Sequence, residues 1–470
     1  MSQHVSPSHP TSSASPNVWR PLARACALAV LGMAGSLSAQ AENLLDLYQA
    51  ARGYDAAYLA AKSQFDAAQF KADQARSLQR PSVNLQASVK RNRLDSSQPD
   101  TVSPAPGGGV ISYDSTSTNS QLAVAARQPL FNQSNSAKVS QAEASLTAAQ
   151  ADLKMAEDDL VARLAQAYFD VLSAQDVLAT AQANKKALAE QLASAKRSFE
   201  VGNSTITDTR EAQARYDLAT AQELAATNDL RVKRIALDQL VGRADVKPNP
   251  LRTPVNLESL DPGQIDPWVQ NTGTSPMVRK AEVGLKVAQL EVDNARAGHM
   301  PTLDAVAQLA RTHVDSSNAL VKSQSGAGTS GSIGLEFNMP LYAGNAIQNR
   351  VRETLSLQDK AERDLENARR SVDLGTRQAY SGVQSGLAQV KAYEAAESSA
   401  KLALEATQLG YRVGVRINKD VLDAQTQLTN TQKDLYKARY DVIIGAIKLR
   451  QAAGTLTADD LAELNKLVTP

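Results

Sequence analysis

The stretch "YRVGVRINKDVLDAQ" at 411–425 has a counterpart 212 positions earlier, "FEVGNSTITDTREAQ" at 199–213. Both read aromatic-x-Val-Gly, then six residues to an Asp, an acidic residue three further on, and Ala-Gln. The same short turn stands twice between long Ala-rich segments, so one folding unit is written twice. Further matches support this: "ARSLQRPSVNLQASVKR" (75–91) with "ARAGHMPTLDAVAQLAR" (295–311), and "RQPLFN" (127–132) with "NMPLYA" (338–343). Whatever one copy forms, the other forms too.

Within each copy the apolar period changes. In "SVNLQASVK", Val83, Leu85, Ala87 and Val89 face one way and polar residues the other, the mark of a half-exposed strand. Leu122, Val124, Ala126 and Leu130 continue it, and Ile333, Leu335, Phe337, Met339 and Leu341 alternate in the second copy. Ser/Gly-rich polar runs separate the members of each pair, so each copy contains a hairpin. Strands of this pattern suit a bilayer-spanning barrel; a small soluble sheet is the other reading.

After each hairpin the period becomes helical. Ala142, Leu146, Ala149, Leu153, Ala156 and Leu160 step by threes and fours, and no Pro or Gly interrupts 137–199. A helix over 133–199 would be roughly 100 Å long at about 1.5 Å per residue. Gly202 and Gly414 then end the outgoing helices. Asp208 with Glu211, and Asp420 with Asp423, read as N-caps with an acidic first turn.

The organisation expected is a leader over 1–41 and a first repeat over 42–243. That repeat holds a helix, a hairpin at 82–131, a long helix at 133–199, a turn at 200–207 and a return helix at 208–242. A Pro-rich connector spans 244–267. The second repeat, 268–454, has a helix, a hairpin at 302–342, a long helix at 345–411, a turn at 412–419 and a return helix at 420–453. A tail covers 455–470.

The leader carries Arg20 and Arg24, an apolar run and an A-x-A site, so cleavage is expected after Ala41. Cleavage removes two of the positive charges behind the formal +1, leaving −1, and takes the single cysteine, Cys26, with it. Cys26 stands at the start of the apolar run, which argues against a lipoprotein anchor.

Two strands per copy make four per chain, with two open edges. In lipid every backbone polar group needs a partner, so several chains would have to share one barrel. Eight, twelve and sixteen strands all remain open at this point.

The chain resembles the TolC family of outer-membrane channel-tunnels. The resemblance covers nearly all of 42–454, in the order helix, hairpin, long helix, V-G turn and helix, and in "YRVGVRINKDVLDAQTQL". It implies an α+β membrane protein of two repeats: a homotrimer with a twelve-stranded barrel, four strands per chain, continuous with a long helical periplasmic tunnel. It also implies multidrug efflux, type I protein secretion or both, gated at the periplasmic tip. The implied partners are a periplasmic adaptor (a membrane fusion protein), an inner-membrane pump or ABC transporter, and outer-membrane lipid.

The resemblance carries roles to single positions. Asp420 and Asp423 match a pair forming acidic rings at the entrance; Tyr411, Arg416 and Asp208 match constraints that hold neighbouring helices shut. Val201, Gly202, Val413 and Gly414 stand in the turns where an adaptor would dock. The residues alone leave the two aspartates equally readable as a cap and a dipole-favoured acid. Two such charges ~6 Å apart repel by roughly 3 kcal/mol at an effective dielectric near 20, which would favour relaxation of a closed ring.

No cofactor, metal or catalytic group is expected. His299 and His313 lack ligand spacing, and the glycines at 107–109 lack the strand-turn-helix context of a phosphate cradle. No basic stripe with interleaved aromatics suggests nucleic acid. The chain is read as a non-enzyme; a periplasmic coiled-coil scaffold or adaptor without a pore is the alternative.

Overall fold

The computed structural model describes residues 43–99, 110–252, 255–316 and 326–469. The leader and the glycines at 107–109 lie outside the described residues. The helices and strands are α1 (Leu44–Tyr54), α2 (Ala56–Arg76), β1 (Ser82–Pro99), β2 (Val110–Phe131), α3 (Gln133–Glu200), α4 (Ile206–Val241) and α5 (Asp266–Asn271). The second half continues with α6 (Pro276–Ala297), β3 (Thr302–Ser316), β4 (Gly326–Asn338), α7 (Ala346–Arg412), α8 (Asn418–Ala453) and α9 (Asp459–Asn465).

The strands form one antiparallel sheet in the order β1-β2-β3-β4, so β1 and β4 are its edges. Register puts the paired apolar alternates of the four strands on one face, except that Leu130 falls in an irregular register and Phe131 takes its place opposite Leu303. Leu85 lies opposite Val124, Val124 opposite Leu309, Ala307 opposite Ile333, and Leu303 opposite Phe337. The other face carries Ser82, Ser88 and Lys90 on β1, with Arg127, Gln121 and Asn119 opposite them.

Two strand limits differ from the alternation in the sequence. β1 runs to Pro99, well past Lys90, because ladder hydrogen bonds join the hairpin whatever its side chains are. β4 stops at Asn338, so Met339 and Leu341 do not extend it; Pro340 between them has no N–H for a ladder. Pro129 on β2 is accommodated by an irregular register between Pro129 and Phe131.

The helices stand side by side. α3 is shared: α2 and then α4 pack along it, and so do α6 and then α8. α7 packs on α6 and α8. The short helices of each copy thus stack into columns beside the long ones, giving four columns with α2/α4 at one edge and α7 at the other. Small residues allow close approach: a Cβ at Gly386 of α7 would lie 2.9 Å from the Val442 side chain of α8.

The main core lies partway along α3, where α1, α4, α8, the connector and the tail converge on Leu160, Leu164, Tyr168, Phe169 and Leu172. Tyr168 and Phe169 are fully buried and meet edge-on, with centroids 5.4 Å apart. Burying a side chain of this kind contributes roughly 1.5–3 kcal/mol. Polar joints fix the wrapping segments. Asp55 caps α2 through Tyr58 N at 2.8 Å and receives both Arg163 Nη atoms at 2.9 and 3.0 Å. Arg252 Nε donates to Val468 O at 2.8 Å, tying connector to tail.

Candidate channel wall and entrance

The tips are built by two turns of one design. Val201 N donates to Arg197 O at 3.2 Å, Gly202 N to Phe199 O at 3.0 Å, and Asn203 N to Ser198 O at 2.8 Å. At the second tip Val413 N donates to Leu409 O, Gly414 N to Tyr411 O, and Val415 N to Gly410 O, at 3.1, 3.1 and 2.9 Å. Gly202 (φ +80°) and Gly414 (φ +79°) adopt the left-handed conformation that closes each helix. Val201, Val413, Val415 and Ile417 are all well exposed there.

The acids do not cap as N-cap residues. Thr205 caps α4, and Asp208, at the third helical position, answers it: its carboxylate accepts from Thr205 N at 3.0 Å and Thr205 Oγ1 at 2.8 Å. Ile417 precedes α8 and has no capping side chain. Asp420 is therefore released from such a box and faces Arg416 Nη1 at 3.6 Å.

Asp423 accepts from Arg215 Nη2 of α4 at 2.7 Å and from Lys419 on its own helix. Donation from Lys419 holds its carboxyl below the usual carboxylate range, with the charges of Lys419 and Arg215 adding to this. Asp420 and Asp423 are thus each matched by a cation within the chain, not left as bare like charges. Tyr411 packs in a small cluster with Leu404, Val421 and Leu428. Within one chain Tyr411 and Asp208 are not hydrogen-bonded to each other.

Sequence reasoning missed Asn418 and Arg215. Asn418 is 3% exposed; Gln191 Nε2 donates to its Oδ1 at 2.5 Å, and its Nδ2 donates to Asp208 O at 3.3 Å. It sews the second turn to the first. The signal was present: 212 positions earlier stands Ile206, so an Asn breaks the repeat where an apolar residue would continue it. Higher up, Thr429 Oγ1 donates to Asn184 Oδ1 at 3.0 Å, and Tyr440 Oη to Asp176 Oδ2 at 2.6 Å. Burial pushes the Asp176 carboxyl up, and the Tyr440 hydroxyl as well. These bonds fasten α8 of the second copy to α3 of the first.

No helix among the described residues is long and apolar enough to cross a membrane. The sheet has a different character: Val83, Leu85, Leu309, Ile333, Leu335 and Phe337 point from one face into the surroundings. Among the described residues no group of His, Cys, Asp or Glu could hold a metal ion. Such a sheet above a columnar helical wall defines a class of membrane channels in which a β-barrel continues into an α-helical tunnel.

The model of the outer membrane efflux protein family matches residues 47–243 and 270–455, one segment in each repeat. The chain belongs to that family. It is 32% identical to outer membrane protein TolC of Vibrio cholerae over 92% of this chain and 95% of that protein. It is 30% identical to the alkaline protease secretion protein AprF of Pseudomonas aeruginosa, over 71% of this chain and 69% of that one. Among solved structures, VceC from Vibrio cholerae superposes with a TM-score of 0.72 at 19% identity, covering 87% of this chain and 96% of that one. The protein is an outer-membrane transport duct of the efflux family, not an enzyme.

Proposed function

We propose that three copies close head to tail into one exit duct for multidrug efflux, type I protein secretion or both. The observation that carries this is the agreement of open edges. β1 and α2/α4 lie at one side of the chain, β4 and α7 at the other. Pairing β4 of one copy with the next copy's β1 also brings α7 beside its α2/α4. Exposed apolar side chains lie on these edge helices, Phe70 on α2, Leu224 on α4 and Leu402 on α7 among them. Twelve strands then leave no unpaired edge in lipid.

In this assembly Asp420 and Asp423 of three copies ring the periplasmic entrance. Tyr411, Arg416 and Asp208 meet neighbouring helices and hold it shut. The exposed valines beside Gly202 and Gly414 receive a periplasmic adaptor, which links the duct to an inner-membrane pump or ABC transporter. The ring is partly neutralised from within by Arg416, Lys419 and Arg215, so it favours cations less than six bare carboxylates would. The family's description as outer membrane efflux proteins supports the first cargo class, and the relative AprF, an alkaline protease secretion protein, supports the second.

The test is single-channel recording of the purified mature protein in a planar bilayer under a salt gradient. Cation-selective openings that lose selectivity in Asp420→Ala/Asp423→Ala are expected. Tyr411→Phe/Arg416→Ser should conduct more at unchanged trimer yield; unchanged conductance would sink the clamp. A folded, membrane-extracted protein that forms no pore would favour the scaffold instead.

A further inference from the structure

We infer that the outer face of the sheet carries a binding site for a phosphorylated glycolipid of the outer leaflet. The helices join the sheet at its lower end, so the hairpin tips point away from the periplasm. On β1 the outward apolar run ends at Val89 and the next outward residue is Arg91; on β3 it ends at Leu309 and the next is Arg311. Each arginine thus stands two residues beyond the last apolar residue of its own strand. Register offsets the two runs by four residues, the slant expected of strands tilted in a barrel, which brings both arginines to one level.

That level is the upper border of the apolar band. Phe131 and Phe337, each paired with Leu303, bring two exposed aromatic rings near the lower border. Eight residues separate Leu303 from Arg311, ~27 Å along the strand and roughly 20 Å in height at a tilt near 40°. An arginine here reaches the phosphate zone of the lipid and not its hydrocarbon.

Arg91 and Arg311 are exposed and make no ion pair among the described residues, whereas Arg93 above them is taken by Asp114 at 3.0 Å. Two strand spacings and four residues set their Cα atoms roughly 16 Å apart. Two guanidinium groups on Cα atoms so spaced match two phosphates carried on one pair of sugars better than a single phosphate. Arginine suits this ligand, because its guanidinium binds phosphate oxygens bidentately. Below, a furrow of about 350 Å³ runs between Val89, Leu122, Arg311 and His313. A second, of about 400 Å³, continues down past Ala126, Ala307 and Gly331. Ala126, Ala307 and Gly331 carry little or no side chain there, so the apolar surface dips under the charged pair.

The site rests on the barrel reading above. The full-length mature trimer, stripped of lipid, is offered diphosphoryl lipid A, its monophosphoryl form or phosphatidylethanolamine in mixed micelles, and retained lipid is counted by native mass spectrometry. Diphosphoryl lipid A should be retained preferentially. Arg91→Ser/Arg311→Ser should lower its retention about tenfold, the loss of roughly one charge-assisted contact. Arg91→Lys/Arg311→Lys, which keeps the charge but not the bidentate fork, should restore only part of it, and Lys90→Ser, on the inner face, should leave it unchanged. Equal retention by the Ser variant overturns the site, as does equal loss in Lys90→Ser. Displacement by inorganic phosphate alone would reduce the site to one for free anions and overturn the lipid assignment. Pore formation in the same samples separates the two readings: a wild type without pores overturns the barrel, and a pore-forming wild type without diphosphoryl lipid A overturns only the lipid site.

Discussion

At 197–203 and at 409–415 the chain leaves a long helix by the same three backbone hydrogen bonds and the same left-handed glycine. The side chains then diverge position by position. Thr205 of the first turn corresponds to Ile417, Ile206 to Asn418, Ser204 to Arg416 and Ser198 to Gly410. The first turn is self-contained, because Thr205 and Asp208 satisfy each other. The second turns outward: its acid is free of a capping box, its arginine is exposed, and its asparagine reaches the other copy. Duplication thus supplies the scaffold, and divergence at a few positions leaves one tip self-contained and gives the other outward-facing charge and a tie to the opposite copy.

The largest break in this comparison should come from Asn418→Leu. It strands the half-buried Gln191 amide and frees the second turn from Asp208, costing about 1–3 kcal/mol. The mutual exchange, Ile206→Asn, places a polar group on an exposed position and should change stability by less than about 0.5 kcal/mol. Thermal unfolding of the two trimers and their conductance measure the contrast. If both substitutions have the same effect, the asymmetry between the turns is wrong.

Capping chemistry sharpens it next. Thr205→Ala should destabilise by ~1 kcal/mol, the ordinary value of a lost cap. Ile417→Thr should do the reverse at the second tip, recruiting Asp420 into a new box. A more stable tip and weaker cation selectivity are expected together; selectivity unchanged beside a gain in stability would show that Asp420 does not act at the entrance.

These contrasts mark how far the sequence could be read. The sheet was legible because Val83 to Val89 and Ile333 to Phe337 alternate without a break, and register confirms that they share a face. The turn was legible because only glycine enters its left-handed position cheaply. The caps were misassigned: Asp208 and Asp420 have the right residue type, but the helices begin earlier, at Ile206 and Asn418. Asn418 was marked only by its break of the repeat against Ile206, and Arg215 and the Tyr440–Asp176 joint were not legible, because all three depend on α8 lying against α3 and α4, which no local period encodes. The lateral order of columns is likewise a property of packing across more than two hundred residues of sequence.

A smaller effect is expected at Gly410. A Cβ there would lie 2.8 Å from Arg416 Cγ, so Gly410→Ser, which copies the first turn, must push the arginine side chain aside. The Arg416–Asp420 pair is exposed, and its loss should hardly change melting, while conductance rises if the pair helps hold the gate. Unaltered gating would assign Arg416 no part in closure.

The smallest effect concerns acid. Lys419 and Arg215 hold the folded Asp423 carboxyl below its ordinary value near 3.9. Its contribution is therefore present at neutral pH and is lost as pH falls through that lowered folded value. Removing the Lys419 donor with Lys419→Ala leaves Arg215 in place and raises the pH at which the remaining contribution is lost. Melting curves of wild type and variant should differ most at neutral pH, where the variant lacks part of this contribution, and should converge in the acid range. The corresponding position in the first turn is Glu211, which has neither Arg215's bond nor a lysine four residues before it. Glu211→Gln should therefore leave the acid profile where it is. A profile moved equally by both substitutions would mean that the two tips share their acid response, and that the carboxylate at 423 is no more tied to the opposite copy than its counterpart.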